Sequence, residues 1–112
     1  MAELDSEDQK IITLARSARA RTGAAEGAAV RDTDGRTYSA TTVALSSLRL
    51  TALQAAVAAA VASGAEGLEA AAVVTASPGL SAESVAAVRE LGATAAVFRA
   101  DLAGAVVAVD RP

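Results

Sequence analysis

The chain has 112 residues, a length that suits one domain able to bury a core without disulfides or a structural metal. Its 53% hydrophobic content is far from a disordered composition; with 2% aromatic residues and a formal net charge of -3, it lacks the stacking surface and positive field that nucleic-acid binding uses. It contains no cysteine and no histidine, which removes thiolate chemistry, every Ser-His-Asp or Cys-His catalytic set, and the usual zinc ligands.

Taken in chain order, the first segment is an acidic stretch through Asp8 without the pattern of a secretory signal. A cytoplasmic location is therefore expected. No apolar run approaches the ~20 residues of a membrane span, so neither a membrane nor a nucleic acid is an expected partner. Ser6 and Gln9 have capping-box spacing, and Ile11, Ile12, Leu14, Ala15 and Ala18 recur at helical spacing, which predicts a helix from Glu7 to Arg21 ended by Gly23. Arg16, Arg19 and Arg21 suit its carbonyl end. Ala28 to Arg31 reads as a short strand, Asp32-Thr33-Asp34-Gly35 as a hairpin turn, and Arg36 to Val43 as the return strand.

Ser46 or Ser47 is the expected cap of a second helix, running through Leu48, Leu50, Leu53, Val57 and Val61 to Ser63, with Gly64 as its stop. That helix is apolar nearly all round, as expected of an element enclosed by protein or facing both a sheet and a partner subunit. Leu68 to Thr75 reads as a buried strand, Ser77-Pro78-Gly79 as a turn, and Ser81 as the cap of a third helix ending at Gly92. Thr94 to Arg99 and Ala105 to Val109 complete the pattern as strands joined near Asp101 and Gly104. The expectation is one α/β domain over residues 1–112, with tails at 1–6 and 110–112. Its order is α-β-β-α-β-α-β-β: a mixed five-stranded sheet with helices packed on it, opening with an antiparallel hairpin and continuing through right-handed crossovers.

Motifs for chemistry are mostly absent. Lys10 is the only lysine and sits in the exposed first turn of the first helix, a poor place for the base of a nucleophilic serine. The glycines form neither a dinucleotide fingerprint nor a phosphate loop. Asp32 and Asp34 are explained by the turn, Glu66 and Glu69 by solvated surface, and Glu83 by the positive end of the third helix.

Three segments together carry a resemblance. They are Glu26-Gly27-Ala28-Ala29-Val30-Arg31-Asp32-Thr33-Asp34-Gly35-Arg36-Thr37-Tyr38; Thr51-Ala52-Leu53-Gln54 on an Ala-rich helix ending at Gly64; and Ala72-Val73-Val74 running into Ser77-Pro78-Gly79. In order and spacing, from Glu7 to Leu91, the chain resembles the small cytidine deaminase family. The resemblance implies that family's fold, the cytidine deaminase-like α/β fold.

In that family a Cys-Ala-Glu at the start of the central helix supplies a zinc ligand and the proton-shuttling Glu, and a Pro-Cys-x-x-Cys at the next helix supplies two further ligands. The matching segments here are Thr51-Ala52-Leu53 and a stretch within Ala82-Glu83-Ser84-Val85-Ala86. The family's sugar-binding Asn-x-Glu matches Thr42-Val43-Ala44, its upstream Phe falls near Ala24, and the segment from Val43 to Thr51 is about two residues shorter, which is expected to close the cleft.

The resemblance therefore implies a degenerate member with no catalytic residues, no metal and no cofactor. Leu53 and Thr51 read as repacked core, since an apolar side chain is buried without the cost of an unpaired carboxylate. The expected role is structural or regulatory, as a homo-oligomeric dimer or tetramer, which the family's assemblies also imply. Two alternatives stand beside it. One is a module binding a nucleoside or other small metabolite in a vestigial cleft formed by Thr42, Ala44, Ser46, Ser47, Thr51, Leu53 and Glu83. The other is a non-catalytic partner subunit of another enzyme.

Overall fold

The computed structural model describes residues 4–112. Helix α1, Ser6–Thr22, is capped by Asp5, whose side chain accepts the Asp8 N–H, and it is closed by Gly23 at φ 70. The cap is thus Asp5 rather than the expected Ser6. A carboxylate there accepts the free N–H and also complements the positive end of the helix. Both expected tails shorten: Ser6 is helical, Asp110 lies in the last strand, and residues 1–3 of the N-terminal tail lie outside the described residues.

The remaining elements are β1 (Gly27–Asp32), β2 (Thr37–Thr41), β3 (Val43–Ala44), β4 (Arg49–Leu50), α2 (Ala52–Ala62), β5 (Leu68–Val74), α3 (Ala82–Leu91), β6 (Ala96–Ala100) and β7 (Val106–Asp110). The main sheet has the order β2-β1-β5-β6-β7, and only β5 and β6 run parallel; every other neighbouring pair is antiparallel. The mixed five-stranded sheet is as expected from the sequence. The single parallel pair leaves room for one crossover of the βαβ kind, through α3, where several were expected.

Alternation along the central strands sorts the core onto two faces. Ala28, Val30, Ala71, Val73 and Val97 pack under α2 and α3 with Leu53, Ala56, Ala60 and Val88. On the other face, Ala29, Ala70, Ala72, Val74 and Phe98 pack against Ile11, Ile12 and Ala15 of α1. Small side chains let the layers approach closely. A Cβ at Gly27 would collide with the carbonyl oxygen of Ala15 and the Cβ of Arg19, so only glycine lets α1 lie this near β1.

The segment between β2 and α2 departs most from expectation. The return strand stops at Thr41 because Thr42 turns back: its N–H donates to the Glu26 carbonyl, and its Oγ1 accepts the Glu26 N–H at 3.1 Å. Val43–Ala44 then pairs antiparallel with Arg49–Leu50, closed by Leu45 N–H to the Leu48 carbonyl. Ser46 and Ser47 are the exposed tip of this ribbon and cap nothing. Helix α2 begins only at Ala52, where Thr51 and Gln54 form a complete capping box that no earlier serine in the segment can match.

Candidate functional site

A cleft of about 530 Å³ opens at one end of the sheet. Its walls are Ala25 and Glu26 at the entry to β1, Thr42 to Ala44, the strand β4 with Thr51 and Gln54 of the α2 capping box, Thr75 to Ser77 after β5, and Glu83 in the first turn of α3. Two helices therefore start at the cleft, beyond the C-terminal end of β5, the place where open α/β sheets commonly present ligand sites.

Behind Thr51 of the lining runs a chain of hydroxyls. Thr51 Oγ1, the N-cap of α2, accepts the Gln54 N–H at 3.1 Å and the Ser84 hydroxyl at 2.8 Å. Ser81, the N-cap of α3, accepts the Ser84 N–H at 3.3 Å and donates its hydroxyl to Ser84 Oγ at 2.8 Å. Ser84 is buried. These bonds join the starts of α2 and α3 directly, hydroxyl to hydroxyl.

A second polar feature lies across β1 and β5. Thr75, only 4% exposed, donates its hydroxyl to Glu26 Oε2 at 2.7 Å and accepts the Ser77 N–H at 3.0 Å. With both backbone groups of Glu26 bonded to Thr42, this carboxylate is held from either side.

The other buried ionisable groups lie outside the cleft and serve the fold. Asp32 accepts the N–H groups of Asp34 and Arg36, each at 2.9 Å, and the Tyr38 hydroxyl at 2.8 Å. Burial pushes its pKa up, but the Tyr38 hydroxyl and the two backbone N–H groups outweigh this and hold it below the ordinary carboxylate range. The same bond, aided by burial, raises the Tyr38 phenol above its ordinary value.

Arg31 joins Asp8 of α1 and Glu69 of β5, both at 3.1 Å. Burial pulls the guanidinium pKa down, yet the bonds and charges of Glu69 and Asp8 hold it above its ordinary value. Glu69, expected as plain solvated surface, is thus also a structural ion-pair partner. A smaller cavity of about 310 Å³ near Leu80 and Val85 includes Arg99 and Asp110, whose polar groups are spent on the Ser77 carbonyl and on Arg89 respectively.

Of the residues expected in the cleft, Thr42, Ala44, Thr51 and Glu83 line it. Ser46 and Ser47 stand away at the ribbon tip, because the helix they were expected to cap starts later. Leu53 is 1% exposed and points into the α2 core cluster. The shortened Val43–Thr51 segment folds into a ribbon along the rim and leaves the cleft open. Glu26, Arg49 and Thr75 line the cleft and were not foreseen as site residues. The readable signal was Glu26 itself, an acid placed immediately before an apolar strand with no basic residue beside it.

The chain matches the family model described as "Cytidine deaminase-like" over residues 4–104. Its fold is similar to that of a cytidine deaminase from Burkholderia pseudomallei, with a TM-score of 0.75 and 25% identity, covering 91% of this chain and 90% of that one. It is likewise similar to a mutant cytidine deaminase from Mycobacterium tuberculosis, with a TM-score of 0.70 and 25% identity over 85% of each chain. A cytidine deaminase from Mycobacterium leprae shares the fold at a TM-score of 0.73 and 22% identity, covering 85% of this chain and 89% of that one. No curated protein matches. Among the described residues, no helix is long and apolar enough to cross a membrane.

Proposed function

This chain belongs to the cytidine deaminase-like family, and from that premise we propose that it is a catalytically inactive member with a structural or regulatory role as a homo-oligomer. The observation that carries the reading is the Thr51–Ser84–Ser81 hydroxyl chain. Thr51 opens the central helix, where the deaminase motif has its first cysteine. Ser81-Ala82-Glu83-Ser84 opens the next helix with the x-x spacing of the other two, a register slightly earlier than the sequence comparison suggested. Neutral hydroxyls at these corners bond to one another and to helix N–H groups. They are poor partners for zinc beside the thiolates they replace.

The position of the proton-shuttling Glu is Leu53, turned into the core. Lys10, the one lysine, lies on α1, across the sheet from the cleft helices, so no amine base accompanies the hydroxyls. Zinc analysis of the purified protein together with a cytidine turnover assay tests the proposal; stoichiometric zinc with turnover overturns it. The oligomer is supported by exposed large apolar side chains, Leu45, Leu48 and Val61, each half exposed or more. A monomer at high concentration in light scattering would remove that part.

The open cleft favours a second reading, a small-metabolite binding module. Its volume lies within the roughly 300–1,000 Å³ range of ligand sites. Thermal unfolding against a metabolite panel tests it, and the absence of any shift counts against it.

A further inference from the structure

Resting on the binding-module reading, the cleft's charges point to the chemistry of its ligand. We infer that the cleft takes a small, non-aromatic metabolite bearing both an ammonium and a carboxylate, with Glu26 receiving the ammonium and Arg49 the carboxylate.

Glu26 is a built element. One oxygen takes the hydroxyl of the buried Thr75, and the residue's backbone is tied to Thr42 on both its N–H and its carbonyl. Its other oxygen has no protein donor among the described residues. A carboxylate fixed in this way, with its second oxygen open to the cleft, is a ready acceptor, and an opposite charge is its natural complement. No cation among the described residues supplies one, since their ion pairs join Arg31 to Asp8 and Glu69, and Arg89 to Asp110. Glu83, in the first turn of α3, adds a second acid without an ion pair to the lining.

Arg49 is the one basic residue of the lining and is equally without an ion pair. A ligand with an anionic group satisfies it, and a ligand with an ammonium satisfies Glu26; an amino-acid-like zwitterion does both. The lining holds no aromatic ring on which a nucleobase would stack. Two carboxylates against one guanidinium also disfavour a phosphate ester, whose charge at neutral pH exceeds that of a carboxylate.

The test measures binding to the full chain by calorimetry with glycine, alanine, β-alanine and 4-aminobutyrate, the matching amines and carboxylic acids, and cytidine and uridine. Glu26→Gln keeps an oxygen for the Thr75 hydroxyl but loses the charge, so its unliganded melting temperature should match the parent. Its affinity for amino acids should fall about 10- to 100-fold, the worth of one charge-assisted hydrogen bond. Arg49→Gln, at an exposed position, should abolish the preference for amino acids over the matching amines.

Binding of amino acids that is unchanged in Glu26→Gln overturns the inference. Binding of cytidine or uridine but of no amino acid overturns the ligand class and leaves the cleft reading standing. No binding by any member of the panel overturns both.

Discussion

Replacing Leu53 by Glu restores, in sequence, the acid that deaminases place on the central helix. The structure predicts that it damages the fold without improving the cleft. Leu53 is 1% exposed among Ala28, Val30, Ala56 and Val73, and it is not part of the cleft lining. Glutamate fills the space of the leucine but leaves a carboxyl without a buried partner, and its desolvation together with the lost apolar contacts is expected to cost about 3–6 kcal/mol. Against a total of about 6–15 kcal/mol for a domain of this size, that lowers the melting temperature by some tens of degrees.

Urea unfolding followed by far-ultraviolet circular dichroism is the suitable assay, because the chain has no tryptophan and one tyrosine. The loss should also depend on pH. Burial raises the folded pKa of the new carboxyl above its unfolded value of about 4.3, so the variant is least impaired below that pH. It should worsen by about 1.4 kcal/mol per pH unit until the folded pKa is reached. A pH-independent loss under about 1 kcal/mol would mean that position 53 faces the cleft, and would refute its assignment to the core.

Thr51→Val should cost about 1–2 kcal/mol in urea unfolding, since it removes the α2 cap and the acceptor for Ser84 together. If Thr51, Ser81 and Ser84 occupy the three ligand corners, changing all three to Cys should produce a protein that retains equimolar zinc after dialysis, where the parent retains none. Equal zinc contents would refute that placement. Asp32, with its pKa lowered in the fold, contributes stability that is present above the unfolded carboxylate pKa and lost as pH falls through the folded one. Asp32→Asn should therefore flatten the acid limb of the stability profile. Tyr38, with its pKa raised, contributes stability present below the unfolded phenol value and lost as pH rises through the folded one, so Tyr38→Phe should flatten the alkaline limb in the same titration.

Legibility in the sequence followed the range of the interactions involved. Elements set by local patterning, such as α1, the Asp32–Gly35 hairpin, β5 and the Ser81-capped α3, lie where periodicity and turn chemistry placed them, within a residue or two. The start of α2 did not, although the capping box Thr51–Gln54 was readable; Leu48 and Leu50 were read into the helix because the strand partner of Arg49–Leu50, Val43–Ala44, is a tertiary fact. The same limit applies to the cleft. Thr42, Ala44, Thr51 and Glu83 were reached through family correspondence, while the Glu26–Thr75 and Thr51–Ser84 bonds join residues 49 and 33 positions apart, with no local pattern to announce them.

The two sides of the cleft bear differently on function. A serine or threonine at a helix N-cap accepts an N–H that would otherwise be orphaned, so hydroxyls at the starts of α2 and α3 stabilise both helices without any metal. That corner is self-satisfied, and its chemistry is explained by the fold alone. The charged residues of the lining are not. Glu26, Glu83 and Arg49 contribute charge to an open cavity without an ion pair among the described residues, and although Glu26 Oε2 satisfies the Thr75 hydroxyl, a neutral oxygen would serve that bond as well. The contrast makes Glu26→Gln the informative variant. A scaffold relieved of an unpaired charge should lose nothing measurable, whereas a binding site should lose its ligand while its melting temperature stays put.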